Sequence, residues 1–389
     1  MSEASPTPTP AQPLSIPVLY IGVVALLIAG LQPVILGGLA EEGRITVGEI
    51  GLAATGELLA LGVACGLAAA FLKPTSLHLK LIIACLVHAA LNIATLWVSD
   101  GALIGVRTLT GLAAGVMLWS TVGMISRSAR PEWQAAVFAT VQTVAQLALA
   151  WLLPLAVIPS FGVDGGLLAL AAISITAAVA VLGAPKSYPL LPKAEKGRGA
   201  ISPLAWTGLG AVFLHMAFIV AIWVYLEPLA GAIGLEPRVA HTAVAATLAM
   251  QLLGGLAATF FGEKLKVGPV LIGVGLLNLG LLALLWQAHD ALLFIGLFAV
   301  YGFLWVFVMP FHTVLLIKID PTRRAAMQLG AAQLLGSSAG PLAASLIVGD
   351  TNAPGAMTLA AGCLVAALAL FIGIVVVLSR RGVVTAPAA

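Results

Sequence analysis

Twelve long apolar stretches run along almost the whole chain and are separated by short segments that hold most of the charges. A helix that crosses a bilayer needs about 20 mainly apolar residues, and lipid offers no partner to unpaired backbone groups. The runs are continuous rather than alternating, so they predict helices and not the strands of a barrel. The predicted spans, numbered one to twelve, are 17–39, 48–71, 77–99, 101–126, 134–159, 163–183, 203–229, 238–261, 267–288, 290–317, 323–349 and 354–379.

Composition supports a membrane protein, because 61% of the residues are hydrophobic and only 8% are charged. A water-soluble domain carries about 25% charged residues, so we expect this chain to use lipid as its solvent. Cys65, Cys85 and Cys363 all fall inside predicted spans. Their spacing indicates neither a disulfide framework nor a metal site, and we expect them to be small packing residues.

The basic residues are divided unequally between the two sets of loops. Fifteen of the 18 Lys and Arg residues lie in one set, together with both chain ends, and only Arg44, Arg107 and Arg238 lie in or near the other. The positive-inside rule places the first set in the cytoplasm. Both termini are then cytoplasmic, which requires an even number of spans. Short scattered basic loops indicate topology and not nucleic-acid binding.

Two pairs of similar segments indicate an internal repeat. Residues 130–136 and 320–326 share a proline in second place and a final Ala-Ala pair, and both precede an odd-numbered span. Residues 66–71 are similar to 255–260, and both close an even-numbered span. The offsets of 190 and 189 residues agree, which favours two copies of a six-span unit.

The repeat predicts five segments along the chain. The N-terminal bundle is 17–183 and the C-terminal bundle is 203–379, and the Pro-rich basic stretch 184–202 is predicted to be a cytoplasmic linker. Residues 1–16 are rich in Ser, Thr and Pro without Lys or Arg, so we expect a disordered cytoplasmic tail there. Residues 380–389 are predicted to be a second cytoplasmic tail.

The arrangement of six plus six spans around a basic central loop resembles the major facilitator superfamily. Arg107-Thr-Leu-Thr-Gly111-Leu-Ala-Ala-Gly115 in span four is similar to that family's Arg-x-x-x-Gly-x-x-x-Gly pattern. The chain departs from the family in the loop after span two, which has no Asp-Arg pair, and at Pro154, which Gly does not precede. The resemblance implies an all-α fold of 12 transmembrane helices in two pseudo-symmetric six-helix bundles. It also implies a central cavity lined by spans one, four, seven and ten, with spans two, five, eight and eleven at the seams.

Glu57 and Arg107 are the main candidates for proton coupling. An ionisable group inside a span costs about 3 kcal/mol on insertion scales, so it is a functional candidate. Glu57 lies about 13 Å and Arg107 about 9 Å from the same end of their spans, at 1.5 Å per residue. These depths permit a buried pair in which Glu57 takes up and releases a proton. A static ion pair and an absence of contact are the alternatives.

Histidines in two spans assigned to the cavity are further candidates. His215 lies in span seven and His312 in span ten. Histidine titrates near neutral pH and can carry a proton, so His215 joins the proton-coupling candidates, although a hydrogen-bonded packing role is open for both. His88 in span three is expected to be structural, since the family layout places that span towards lipid. Glu227 is expected to be a solvated charge at the rim.

Aromatic side chains form two stripes in the same two spans. Tyr301, Trp305 and His312 share one face of span ten, and Tyr225 continues the face of His215 in span seven. Such faces suit ring-containing or amphipathic substrates, and plain packing is the alternative.

Three glutamines lie at similar depths in two predicted seam helices. Gln142 and Gln146 are one turn apart in span five, and Gln251 lies in span eight. They are candidates either for amide bonds across the seam or for substrate binding.

Motifs for other chemistry are absent from the sequence. It contains no Gly-x-x-x-x-Gly-Lys-Ser/Thr loop, no His-Glu-x-x-His pair and no nucleophile elbow. We therefore expect no enzyme activity, no cofactor and no metal. The sequence predicts a monomeric secondary transporter of a bacterial inner membrane that moves a small organic solute. Proton-coupled efflux is favoured, with proton-coupled uptake of an organic acid or aromatic compound as the alternative. A membrane enzyme or a sensor is the alternative from another class.

Overall fold

A computed structural model describes residues 13–189, 201–349 and 352–380. Most of the two predicted tails and of the predicted linker lies outside the described residues. Within the described ranges the chain forms α-helices joined by short turns, and no strand. The helices are α1 (Ile16–Glu41), α2 (Val47–Phe71), α3 (Leu77–Ala94), α4 (Asp100–Ile125), α5 (Pro131–Leu152), α6 (Ile158–Ala180), α7 (Pro203–Val224), α8 (Leu226–Ala232), α9 (Pro237–Phe261), α10 (Val267–Leu285), α11 (Ala291–Ile319), α12 (Arg324–Met327), α13 (Leu329–Val348) and α14 (Gly355–Arg380).

The described helices make twelve membrane crossings, which confirms the number predicted from the sequence. Eleven helical segments are long and apolar enough to cross, but one of them, Pro131–Gly183, has 53 residues. At 1.5 Å per residue it would measure about 80 Å, more than twice the apolar thickness of a bilayer. At Gly162 the backbone leaves the helical region, with φ 63° and ψ −168°. The segment therefore contains two crossings, while α8 continues the seventh and α12 begins the eleventh.

The two faces of the molecule are named here by the chain ends. The terminal face is the one where α1 begins and α14 ends, and the opposite face is the one where α1 ends and α2 begins. On the terminal face, Asp320 follows α11 and accepts hydrogen bonds from Thr322 Oγ1 at 2.5 Å and from the Ala325 N–H at 2.9 Å. These bonds stabilise the carboxylate and hold the pKa of Asp320 below its usual range. They fix the turn that leads into α12.

Each half contains the same close contact between two helices. In the N-terminal half, Gly111 of α4 packs on the carbonyl oxygen of Glu57 in α2, and in the C-terminal half Gly302 of α11 packs on the carbonyl oxygen of Thr247 in α9. A Cβ at either glycine would overlap that oxygen. These helix pairs have the most extensive contacts among the described elements. The offsets between equivalent residues, 190 and 191, agree with the repeat predicted from the sequence.

The buried apolar residues form three clusters that differ in how they join the halves. One cluster lies towards the opposite face and combines residues of both halves, among them Ile50, Trp223 and Val348. The other two lie towards the terminal face, and each is built from one half alone, within 18–188 or within 205–378. The halves therefore share one core at the opposite face and have separate cores at the terminal face. The bundle limits at 183 and 203 stay predictions.

The glycine contact in α4 should set the stability of the N-terminal half. We expect Gly111→Leu to destabilise the protein by about 1 to 3 kcal/mol or more, because the added side chain has to displace the backbone of α2. Gly105→Leu in the same helix is the matched control, since a side chain there would meet nothing within 4 Å. Thermal unfolding in detergent is the measurement. Equal melting temperatures for the two variants would contradict the contact.

Candidate functional site

Glu57 of α2 and Arg107 of α4 form an ion pair that is completely buried. Arg107 Nε donates to Glu57 Oε2 at 3.2 Å and Arg107 Nη2 donates to Oε1, so both carboxylate oxygens are occupied. The third nitrogen, Nη1, donates to Asn92 Oδ1 of α3 at 2.9 Å. A charge withdrawn from water is tolerated when it is paired and hydrogen-bonded. Glu57 and Arg107 are therefore in contact, and the alternative that they do not touch is wrong. A role of Glu57 in proton transfer stays a prediction.

The ion pair belongs to a polar network that continues across the N-terminal half. Asn92 Nδ2 donates to the carbonyl of His88 at 2.9 Å, and His88 Nδ1 lies 2.7 Å from Ser174 Oγ of α6. His88, Asn92 and Ser174 are all buried. His88 was expected to be structural, and its ring is enclosed between α3 and α6, where it is hydrogen-bonded and buried. We call Glu57, Arg107, Asn92, His88 and Ser174 the N-half network.

The C-terminal half has no charged counterpart of this ion pair among its described residues. Thr247 stands at the position equivalent to Glu57, and its hydroxyl lies 2.7 Å from the carbonyl of Ala243 and 3.1 Å from that of Phe298 in α11. The backbone contact is therefore repeated while the chemistry is not. At this level of the membrane, the described ion pair lies in the N-terminal half.

His215 of α7 and His312 of α11 form a second buried polar contact. Their rings meet edge to face, with His215 Nδ1 3.0 Å from His312 Nε2. Phe218 stacks on His215, and Phe371 of α14 stacks on His312. The outer nitrogens, His215 Nε2 and His312 Nδ1, have no partner among the described residues. Two imidazoles at this distance can share one proton, and their part in coupling or in substrate binding stays a prediction.

The aromatic stripes are divided between the interior of the C-terminal half and the contact between the halves. Tyr301 is buried and donates to the carbonyl of Ile219 at 2.5 Å, within the same half. Trp305 is half-buried and packs on Trp223, whose indole lies against α1 of the other half. In this conformation Trp305 is the member of the predicted stripes best placed to meet a solute. Substrate contact by Tyr301 stays a prediction.

The glutamines do not bond across the seam in this conformation. Gln146 Nε2 donates to the carbonyl of Leu26 in α1 at 2.7 Å, which joins two helices of the N-terminal half. Helices α5 and α9 do pack against each other, but neither Gln142 nor Gln251 makes a side-chain hydrogen bond with the described residues. Of the two alternatives for this pair, substrate binding stays open.

Hydrogen bonds from one half to the other close the molecule at the opposite face. Trp223 Nε1 donates to the carbonyl of Ala29 at 2.9 Å, and Thr55 Oγ1 donates to the carbonyl of Ser338 at 2.9 Å. The Ala29 carbonyl lacks its usual helical donor because the residue four positions on, Pro33, has no N–H. Trp223 therefore satisfies a carbonyl that the proline leaves unpaired. We call these bonds the opposite-face closure.

Glu227 lies beside this closure and is not the solvated rim charge that was expected. It is 4% exposed and packs on Gly37 of α1. Its Oε1 lies 3.1 Å from His241 Nε2, while Oε2 has no partner among the described residues. The expectation failed because α8 continues inward against α1 instead of ending at the surface.

The sequence matches the family model described as Major Facilitator Superfamily over residues 18–345. The chain belongs to the Major Facilitator Superfamily. No curated protein matches the sequence.

Solved transporters share the superfamily fold with this chain at low sequence identity. A mutant of the nucleoside transporter NupG has a TM-score of 0.73 and 14% identity, and the match covers 93% of this chain and 100% of that one. NupG itself gives 0.67 and 15%, covering 93% and 98%. A bacterial homologue of the human lysosomal transporter Spinster, inward-facing and unoccupied, gives 0.60 and 11%, covering 96% and 98%. These likenesses show the fold alone.

Within this superfamily fold, sequence reasoning missed two members of the N-half network. Asn92 was detectable, since it is an amide one helical turn after His88 in an otherwise apolar stretch. Ser174 gave no signal, because a serine inside a transmembrane helix can bond to its own backbone, as this one does to Leu170 at 2.8 Å.

Replacing Glu57 and Arg107 together should cost much less stability than the sum of the two single replacements. We expect Arg107→Leu and Glu57→Leu each to cost about 3 to 5 kcal/mol, because each leaves one buried charge without its partner. The double variant should be more stable than either single variant. Thermal unfolding of the four proteins in detergent is the measurement. Additive losses in the double variant would mean that the two charges do not interact.

Proposed function

We propose that this chain is a monomeric secondary transporter of the inner membrane that exports a small organic solute by alternating access, in exchange for protons. The arrangement of the apolar clusters carries the proposal, because they join the halves at the opposite face only. Two bundles that touch at one end can rock about that contact and expose the space between them to each side in turn. No observation on the described residues favours an enzyme or a sensor.

The terminal face is assigned to the cytoplasm. Described loops and helix ends on this face carry most of the Lys and Arg residues, such as Lys73, Arg127 and Lys266, and the positive-inside rule supports a cytoplasmic location for them. In the conformation described, the solute would then enter from the cytoplasm.

Proton coupling is assigned to Glu57. Helix α2 carries Glu57 towards Arg107 on one side and Thr55 towards α13 on the other, only two residues away. When the halves part at the opposite face, the bond of Thr55 to Ser338 breaks and water gains access to this part of α2. Glu57 can then take a proton from that water and release Arg107 from the pair.

The ion pair in the present conformation has a geometry that fits export by exchange. Both oxygens of Glu57 accept bonds from a guanidinium, which has only donors, and this arrangement stabilises the carboxylate form. An exchanger needs its carboxylate free of the proton while the solute loads from the cytoplasm. An uptake system also releases its proton to the cytoplasm from this conformation, so the preference for export over uptake comes from the sequence analysis and not from the ion pair.

The solute is expected to contain a ring and to be amphipathic. Partly exposed side chains on the helices between the halves include the indole of Trp305, the thioether of Met309 and the amide of Gln333. Gln333 Nε2 lies 3.6 Å from Met309 Sδ. Aromatic, soft and amide groups on facing helices suit a flat organic molecule with few charges. Nucleosides belong among the solutes tested, because one structural relative is named as a nucleoside transporter.

Replacing Glu57 should uncouple solute transport from the pH gradient. In sealed proteoliposomes, we expect Glu57→Gln to abolish solute flux driven by a pH gradient and to retain solute exchange, because the amide cannot cycle a proton. Flux of labelled ring-containing solutes, nucleosides included, is the measurement, together with the internal pH. Glu132→Gln on exposed α5 is the control and should keep full activity. Gradient-driven flux in Glu57→Gln equal to that of the unmodified protein would reject the proton role.

Orientation should be readable from labelling of single cysteines. In a background without Cys65, Cys85 and Cys363, we expect Lys73→Cys to react with an impermeant maleimide only after the cells are opened. Arg238→Cys, exposed near the opposite face, should react in intact cells. The reverse pattern would overturn the assignment of the terminal face to the cytoplasm and the direction of export with it.

A further inference from the structure

A cavity of about 450 Å³ opens at the terminal face of the C-terminal half, between α9, α10, α11 and α14. Three lysines, Lys264, Lys266 and Lys318, stand at its polar end. None of them makes a hydrogen bond or an ion pair with the described residues. The apolar wall includes Phe311, Val314, Leu315, Val375 and Leu378.

The equivalent position in the N-terminal half is filled by the chain itself. Tyr188, in the segment after α6, is 5% exposed, and its ring lies against Gly123 of α4. The guanidinium carbon of Arg127 lies 5.5 Å from the centre of this ring. The Tyr188 N–H donates to the carbonyl of Pro74 at 2.8 Å, and Arg127 Nε donates to the carbonyl of Pro189 at 2.7 Å. The Tyr188 ring thus fills the space, and the Pro189 carbonyl oxygen accepts a hydrogen bond from Arg127.

The repeat makes the two positions equivalent residue by residue. With the offset of 191 residues between α4 and α11, Gly123 corresponds to Val314 and Arg127 to Lys318. Among the described residues of the C-terminal half, no side chain takes the place of Tyr188. Lys318 and the apolar wall therefore receive no such cover from the described residues, and two further lysines line the same cavity.

We propose that this cavity binds an anionic phospholipid from the leaflet at the terminal face. The phosphate lies among the three lysines, as the Pro189 carbonyl lies beside Arg127, and an acyl chain lies along the apolar wall. The charge of the rim favours this occupant, since three lysines face a single acid, Glu263. Basic pockets between transmembrane helices bind acidic headgroups by the same complementarity. The site is separate from the transport path proposed above.

The test measures lipid retained by the full-length protein. The protein is placed in nanodiscs of phosphatidylcholine with a small fraction of labelled phosphatidylglycerol, and bound label is quantified after detergent extraction and purification. Because one lysine beside an acidic lipid contributes about fivefold to binding, Lys266→Ala/Lys318→Ala should lower retention about 25-fold. The control Lys73→Ala/Lys186→Ala removes two exposed charges from the same face of the other half, and retention should not change.

A second variant tests whether lipid binding requires the cavity itself or only the positive charges around it. Val314→Trp keeps all three lysines and fills the space that Tyr188 fills in the other half, so it should also lose the lipid, at least tenfold. Retention in Val314→Trp equal to that of the unmodified protein would overturn the proposal. An equal loss in the control pair, or displacement of the lipid by glycerol 3-phosphate as readily as by unlabelled phosphatidylglycerol, would overturn it too. None of these readouts depends on transport, so the two proposals fail independently.

Discussion

A buried carboxylate and a buried guanidinium must stay together, and this constraint organises the N-terminal half. Glu57 and Arg107 are buried from the surface, and the third guanidinium nitrogen donates to Asn92. Three helices are therefore fixed relative to one another, because moving any of them would leave a charge uncompensated at a cost of several kcal/mol. The N-terminal half can then move as one rigid body, which alternating access requires. The contacts that break in such a movement are those between the halves at the opposite face.

The repeat conserves backbone contacts and varies the chemistry placed on them. Gly111 and Gly302 bring equivalent helices to the same close approach, yet the residues beside them are an ion pair in one half and a threonine hydroxyl in the other. The terminal face shows the same division, with Tyr188 filling one half and an open basic cavity in the other. A pseudo-symmetric scaffold thus lets a buried Glu–Arg pair be placed in one half and not in the other.

The sequence predicts features that depend on a single helix or on a repeat distance. The twelve crossings follow from the length of apolar runs, and similar depths in spans two and four permitted the contact of Glu57 with Arg107, although they did not require it. Features that depend on how two distant helices are rotated were not predictable. Glu227 was expected at the surface because its depth is visible in the sequence, whereas the inward path of α8 is not. The bond from the Tyr301 hydroxyl to the carbonyl of Ile219 in α7 was likewise not predictable, and substrate contact by Tyr301 stays a prediction.

Pro33 in α1 makes the opening of the opposite face depend on hydration of the Ala29 carbonyl. When the halves part there, the indole of Trp223 withdraws and the Ala29 carbonyl, already without a helical donor, faces the gap alone. A bare carbonyl in an apolar gap costs several kcal/mol unless a water molecule replaces the indole. A dry opening is therefore unfavourable, and solvent must enter the crevice as it forms. Hydration of the Ala29 carbonyl would then be needed before the space between the halves opens at the opposite face.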